Sequence, residues 1–285
     1  MKRLTDEIFE LAESPRYIDG ALWFTDIDFG HLHCWKDGKL ETVCDRTITS
    51  FVQERSGGLV CGTMEGLFHL KPDGSFLPLT KETPLKINDM CADPKGRVIF
   101  GTNYHSMEQQ YPLGSLYVYD ARQGLRELDY GYHLVNGIGF SPDGTKMYVC
   151  DSSIRTIFEY PYDVETGTCG RKRILVRFRM DDGLPDGMAI DADGNIWTAQ
   201  WYGNCVIGTA PDGREVQRIA VPAAQVSAVE FAPEGLYITS AHEYGRLDIA
   251  PHAFSPDAPE IGGSLFLSEA PVAGRPHAAS DIYRI

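Results

Sequence analysis

The chain has 285 residues, with 26 Lys and Arg against 40 Asp and Glu, a net charge of −14 and a pI of about 5.0. That acidity argues against nucleic acid or an anionic membrane as partner. With 29 Gly, 17 Pro and 11% aromatic residues, the composition suits a large all-β domain better than a helical one.

The first residues, MKRLTDEIFELAESP, are charged throughout and lack the apolar core of a secretory signal. Within them, DEIFELAES is the lone helical hint. No apolar run approaches the roughly 20 residues of a membrane span. Seven cysteines (Cys34, Cys44, Cys61, Cys91, Cys150, Cys169 and Cys205) include no Cys-x-x-Cys pair, and several lie in apolar runs. They read as buried free thiols of a soluble cytoplasmic protein.

From residue 20 onward a unit recurs: a Gly-containing turn, an alternating apolar strand, a second strand and another turn. Its first strands are GALWFTDI, GGLVCGTM, GRVIFGTN, GTKMYVCDS, GNIWTAQW and GLYITSAH. Its partner strands are GHLHCWKDG, EGLFHLKPDG, GSLYVYDARQG, RTIFEYPYD, NCVIGTAPDG and GGSLFLSEA. Six units of about 40 to 50 residues predict a six-bladed β-propeller over residues 1–285, a closed ring with protected edges. A sandwich or solenoid with similar strand spacing is the competing architecture.

Pro-Asp-Gly, a strong turn signal, occurs four times, in KPDGS, SPDGT, LPDGM and APDGR. The copy at Pro185–Gly187 is anomalous, because a second turn, Asp191-Ala-Asp193-Gly194, follows almost at once. Asp193 reads as a turn residue, whereas Asp186 reads as a side chain aimed at the propeller axis. KINDMCADPKG and LVNGIGFSPDG share its form, and they put Asn88 and Asn136 in equivalent places. Glu13 in LAESPRY lies upstream of Trp23 in a related way. Taken singly, Asn136-Gly137 and Asp186-Gly187 are ordinary turn pairs. Their shared position favours convergence on one channel.

Glu, Asn and Asp oxygens without paired His or Cys describe a site for a hard divalent cation. His31 and His33 share one strand face and read as polar surface. Asp191–Gly194 resembles the start of a calcium loop but lacks the closing glutamate, since position 202 is Tyr202. No nucleophile elbow, dinucleotide fingerprint or Walker loop is present.

The segments ESPRYIDGALWFTDI, INDMCADPKGRVIFGTN, GSLYVYD, VNGIGFSPDGTKMYVCDS and LPDGMAIDADGNIWTAQWYG run in this order over nearly the whole chain. Together they resemble the senescence-marker-protein/gluconolactonase family, which includes regucalcin, sugar lactonases and luciferin-regenerating-like proteins. The resemblance implies a six-bladed propeller with one catalytic divalent ion (Ca, Mg, Mn, Zn or Fe(II)) held by Glu13, Asn136 and Asp186. It implies a metal-dependent hydrolase that opens a small-molecule sugar lactone, with Asp186 also accepting a proton. Asn88, of the Asn88-Asp89 element, is implied to contact substrate or a metal-bound water. Lys86 stands where many sugar lactonases carry Arg, and Gln110 where a sugar-contacting glutamate is expected. The family's Gly-Pro after the glutamate is Ser14-Pro15 here, followed by Arg16. Lys86, Asn88, Gln110 and His105 are the substrate-binding candidates; Tyr104, His133 and His242 flank the same segments. The alternatives are a non-catalytic propeller that binds calcium or a protein, and a propeller esterase acting on another ester.

Overall fold

The computed structural model describes residues 1–80, 85–103, 114–242, 261–269, 273–275 and 277–284. Six antiparallel sheets follow one another along the chain. Each is entered by its innermost strand: Ala12–Ile18 in blade one, Ser50–Gln53 in blade two, Ile87–Ala92 in blade three, Val135–Phe140 in blade four, Leu184–Ile190 in blade five and Val226–Ala232 in blade six. Each inner strand packs against the next, and the sixth packs back on the first, so the blades close a ring. The fold is the expected six-bladed β-propeller.

Blade six joins the two ends of the chain. Its outermost strand is Lys2–Arg3, paired with Phe266–Ser268 through Lys2↔Leu267 and Arg3↔Phe266. The strands that the turn pattern marks as first in each unit, such as Ala21–Asp26 and Ile196–Trp201, are second in their blades. The site residues therefore lie within the innermost strands, not just ahead of them. The stretch at 6–14 forms no helix. Phe9 is buried against Phe24 with ring centroids 4.9 Å apart, and Ala12 and Glu13 already pair with Asp26 and Thr25.

The hydrophobic core is divided among the gaps between blades. One cluster joins Ile99, Leu116 and Tyr132 of blade three to Ile138, Met147 and Tyr160 of blade four. Another joins Trp197 and Val206 of blade five to Val229 and Phe231 of blade six. Alternating strand residues supply one side chain to each flank of a blade, so every blade is glued on both faces.

Residues 273–275 and 277–284 lie across the end of the channel opposite the inner-strand starts. Gly274 bridges to Asp191, Ser280 to Glu54, and the Asp281 amide donates to Gly96 O at 2.9 Å. A cavity of about 90 Å³ lies beneath these residues, lined in part by Cys91, Phe140, Ile190, Arg275 and His277. No helix among the described residues is long and apolar enough to cross a membrane.

Candidate active site

Five of the six inner strands break register at the same level. The bulges fall between Glu13 and Arg16, Ile87 and Met90, Asn136 and Ile138, Pro185 and Met188, and Val226 and Ala228. A bulge adds a residue to one strand, bends it and re-aims the side chain it carries. Glu13, Asn88, Asp89, Asn136, Asp186 and Ser227 all sit at these breaks. The anomalous Pro-Asp-Gly is accordingly not a turn. In the other three copies the aspartate caps the residue two further on: Asp73 accepts from Ser75 N at 2.9 Å, Asp143 from Thr145 N at 3.0 Å and Asp212 from Arg214 N at 3.0 Å. Asp186 Oδ1 is buried with no hydrogen-bond partner.

A belt of side-chain hydrogen bonds runs around the channel at this level. Ser14 Oγ donates to Thr49 O (3.3 Å), Ser50 Oγ to Asp89 Oδ1 (2.9 Å) and Asn88 Nδ2 to Asn136 Oδ1 (3.2 Å). Ser152 Oγ donates to Pro185 O (2.6 Å), Gln225 Nε2 to Tyr202 OH (3.1 Å) and Ser227 Oγ to Ala12 O (2.6 Å). Every pair of adjacent blades is thus pinned beside the site. Gly137 makes the close approach possible, since a Cβ there would lie 2.5 Å from Asp186 O.

Three carboxylates crowd this place. Burial pushes the Glu13 carboxyl up to about 8, and the Asp89 charge adds to the rise; the Ser14 amide and Arg16 oppose it. Burial, then Glu13 and Asp89, push Asp186 well above the usual carboxylate range. Buried like charges are unfavourable unless a cation or protons neutralise them. The crowding and the orphaned Asp186 oxygen are what a hard divalent cation would relieve. Among the described residues, no group of three His, Cys, Asp or Glu side chains is arranged to hold a metal. A cation here needs a neutral oxygen as well, and the Asn136 amide, 9% exposed, is the neutral donor at this level. The residues present fit the group.

The structure brings Glu13, Asn88, Asn136 and Asp186 to one level of the channel. Lys86 is exposed just ahead of the strand Ile87–Ala92. His133 holds Asp151, its amide donating at 2.9 Å, and His242 Nδ1 lies 3.9 Å from Glu10 Oε2, so both fasten loops. His31 and His33 stack edge-on at 5.5 Å on the third strand of blade one, away from the channel. Asp191 serves the core, accepting from Trp197 Nε1 at 2.8 Å. Gln110, His105 and Tyr104 lie outside the described residues. Sequence reasoning gave no role to Ser50 and Ser152, which hold Asp89 and Asn136. Single serines at strand ends carry no pattern that would have marked them.

Fold and site together define a β-propeller with an oxygen-rich, carboxylate-crowded centre at one mouth of its channel. The model of the SMP-30/Gluconolactonase/LRE-like region matches residues 11–242, and the chain belongs to that family. A pentonolactonase of Haloferax volcanii is 30% identical, over 98% of this chain and 98% of its own. An L-arabinolactonase of Azospirillum brasilense is 34% identical, over 95% of this chain and 92% of its own. Among solved structures, a luciferin-regenerating enzyme superposes with a TM-score of 0.86 at 25% identity, over 96% of both chains.

Proposed function

We propose that this protein is a metal-dependent sugar lactonase, hydrolysing an aldonolactone to the sugar acid in carbohydrate catabolism. The observation that carries the reading is the buried Asp186 oxygen without a partner, beside Glu13 and Asn136, in a chain whose full-length relatives are named as lactonases. Glu13, Asn136 and Asp186 hold one divalent ion. When bound, such an ion polarises an ester carbonyl and makes a coordinated water more acidic.

In the reaction, water oxygen adds to the acyl carbon, the ring C–O bond breaks, and the ring oxygen leaves with a proton as the hydroxyl of the acid. Asp186 accepts a proton from the attacking water. Asn88 is kept in place by Val135 O, to which its Nδ2 donates at 2.9 Å, and it orients the substrate. Lys86, Gln110 and His105 complete the recognition of the ring hydroxyls. The seven cysteines form no disulfides, which favours a reducing compartment, and we place the protein in the cytoplasm.

The test is ring opening followed by proton release. Chelator-stripped protein is offered five- and six-membered aldonolactones, with Ca, Mg, Mn, Zn and Fe(II) each restored in turn and spontaneous hydrolysis subtracted. Ion-dependent turnover of one lactone is expected. No turnover by folded, ion-loaded protein would move the assignment to another ester or to a binding platform.

A further inference from the structure

Arg16 follows Glu13 by three residues on the inner strand of blade one, just past its bulge. Its side chain is 6% exposed. Nη1 donates to Pro15 O at 2.8 Å, Nη2 donates to Met90 O at 2.9 Å, and Nε has no partner. Met90 belongs to blade three, which is not a neighbour of blade one, since the inner strand of blade two packs between them. A hydrogen bond linking these two blades passes through the channel itself. The guanidinium therefore lies across the channel, where its charge reaches Glu13 and Cys91.

We propose that Arg16 is the built-in countercharge of the carboxylate site and sets how weakly or tightly that site holds its divalent cation. The inference rests on the reading that the site takes such an ion. Two backbone carbonyls satisfy two donors of a buried guanidinium but carry no formal charge, so they do not offset the burial of a cation. Glu13, Asp89 and Asp186 supply that charge. Three carboxylates match one divalent ion and one guanidinium together. Without Arg16 the same three groups present a surplus negative charge to the ion, in surroundings where charges interact far more strongly than in water. Arg16 thus acts on the ion through the field of the site. It is a positioning and charge-setting residue.

The arrangement predicts that removing this charge tightens ion binding. Mn²⁺ is titrated calorimetrically into chelator-stripped wild type, Arg16→Met, Arg16→Gln and Arg16→Lys, with thermal unfolding confirming that each is folded. Arg16→Met is expected to lower the Mn²⁺ Kd at least tenfold, and Arg16→Gln serves if the methionine variant does not fold. Arg16→Lys keeps the charge and is expected to stay within about threefold of wild type. An unchanged or weaker Kd in folded, uncharged variants overturns the proposal, as does a lysine variant that shifts as far as the methionine one. Wild type that binds no divalent ion overturns the metal reading and this inference with it. Wild type that binds while Arg16→Met is unmoved overturns this inference alone.

Discussion

Asn88 Nδ2 lies 3.2 Å from Asn136 Oδ1, joining blade three to blade four. The same Nδ2 donates to Val135 O at 2.9 Å, and a carbonyl can only accept. Asn88 therefore presents its amide nitrogen, and Asn136 must answer with its oxygen. On its other side Asn136 Nδ2 donates to Ser152 Oγ at 3.1 Å, while the serine proton goes to Pro185 O at 2.6 Å. Asn88 and Ser152 together fix which way the Asn136 amide faces.

Ser152→Ala is expected to free that amide to rotate. Partners that orient a ligand are worth about 10- to 100-fold in ion affinity. Loss of about tenfold in Mn²⁺ affinity is the expected calorimetric result, with a fall in stability of about 1–3 kcal/mol from the unpaired Pro185 O and Asn136 amide. Unaltered affinity would show that Asn136 is held by its other contacts.

Asp186→Asn keeps the shape and removes a buried charge. Turnover should fall by about 10³-fold or more, equivalent to about 4 kcal/mol of transition-state stabilisation. Ion-free stability should rise, because the repulsion with Glu13 and Asp89 is relieved. Activity within tenfold of wild type would remove Asp186 from the mechanism.

The pH dependence of the ion-free protein follows from the two raised carboxyls. Each binds its proton more tightly in the native state than unfolded, so their contribution to stability is fully present below about pH 4. It is lost as pH rises through about 8, where Glu13 ionises. Urea unfolding of chelator-treated protein should show stability falling across that window, with a shallower fall in Asp186→Asn. With saturating ion the same window should show affinity rising with pH, because protons and the ion compete for the same oxygens.

Gly137→Ala would set a Cβ 2.5 Å from Asp186 O and 3.1 Å from Met188 Cγ. Overpacking of this kind costs about 1–3 kcal/mol. Here it also parts blades four and five beside the site, so resistance to chemical denaturation and ion binding should weaken together. Loss of stability alone would mean that the site tolerates a wider gap.

Much of this was legible in the order of residues. Turn chemistry and alternation marked the blades, because both are local. Asp186 stood out because its Pro-Asp-Gly broke the rhythm of the other three. What escaped was set by the ring closing. Glu13 sat in a stretch whose spacing suits a helix, and only pairing with Ala21–Asp26 makes it a strand. The inner strands were hard to see because their bulges interrupt the alternation at the site itself. Nothing local gives Arg16 a role, because the carbonyl that receives its hydrogen bond lies 74 positions later in blade three.

The strand Lys2–Arg3 finds its partner at Phe266–Ser268. Until residues 266–268 have been made, Lys2–Arg3 has no strand to join and blade six lacks its outer edge, and blades one and six are held together only by their inner strands. The growing polypeptide is an open arc with sticky flanks, and contacts between such distant positions are slow to form. Residues 2 and 3 must wait for residues 266–268 before their edge is paired, so protection from wrong partners during synthesis matters for this molecule.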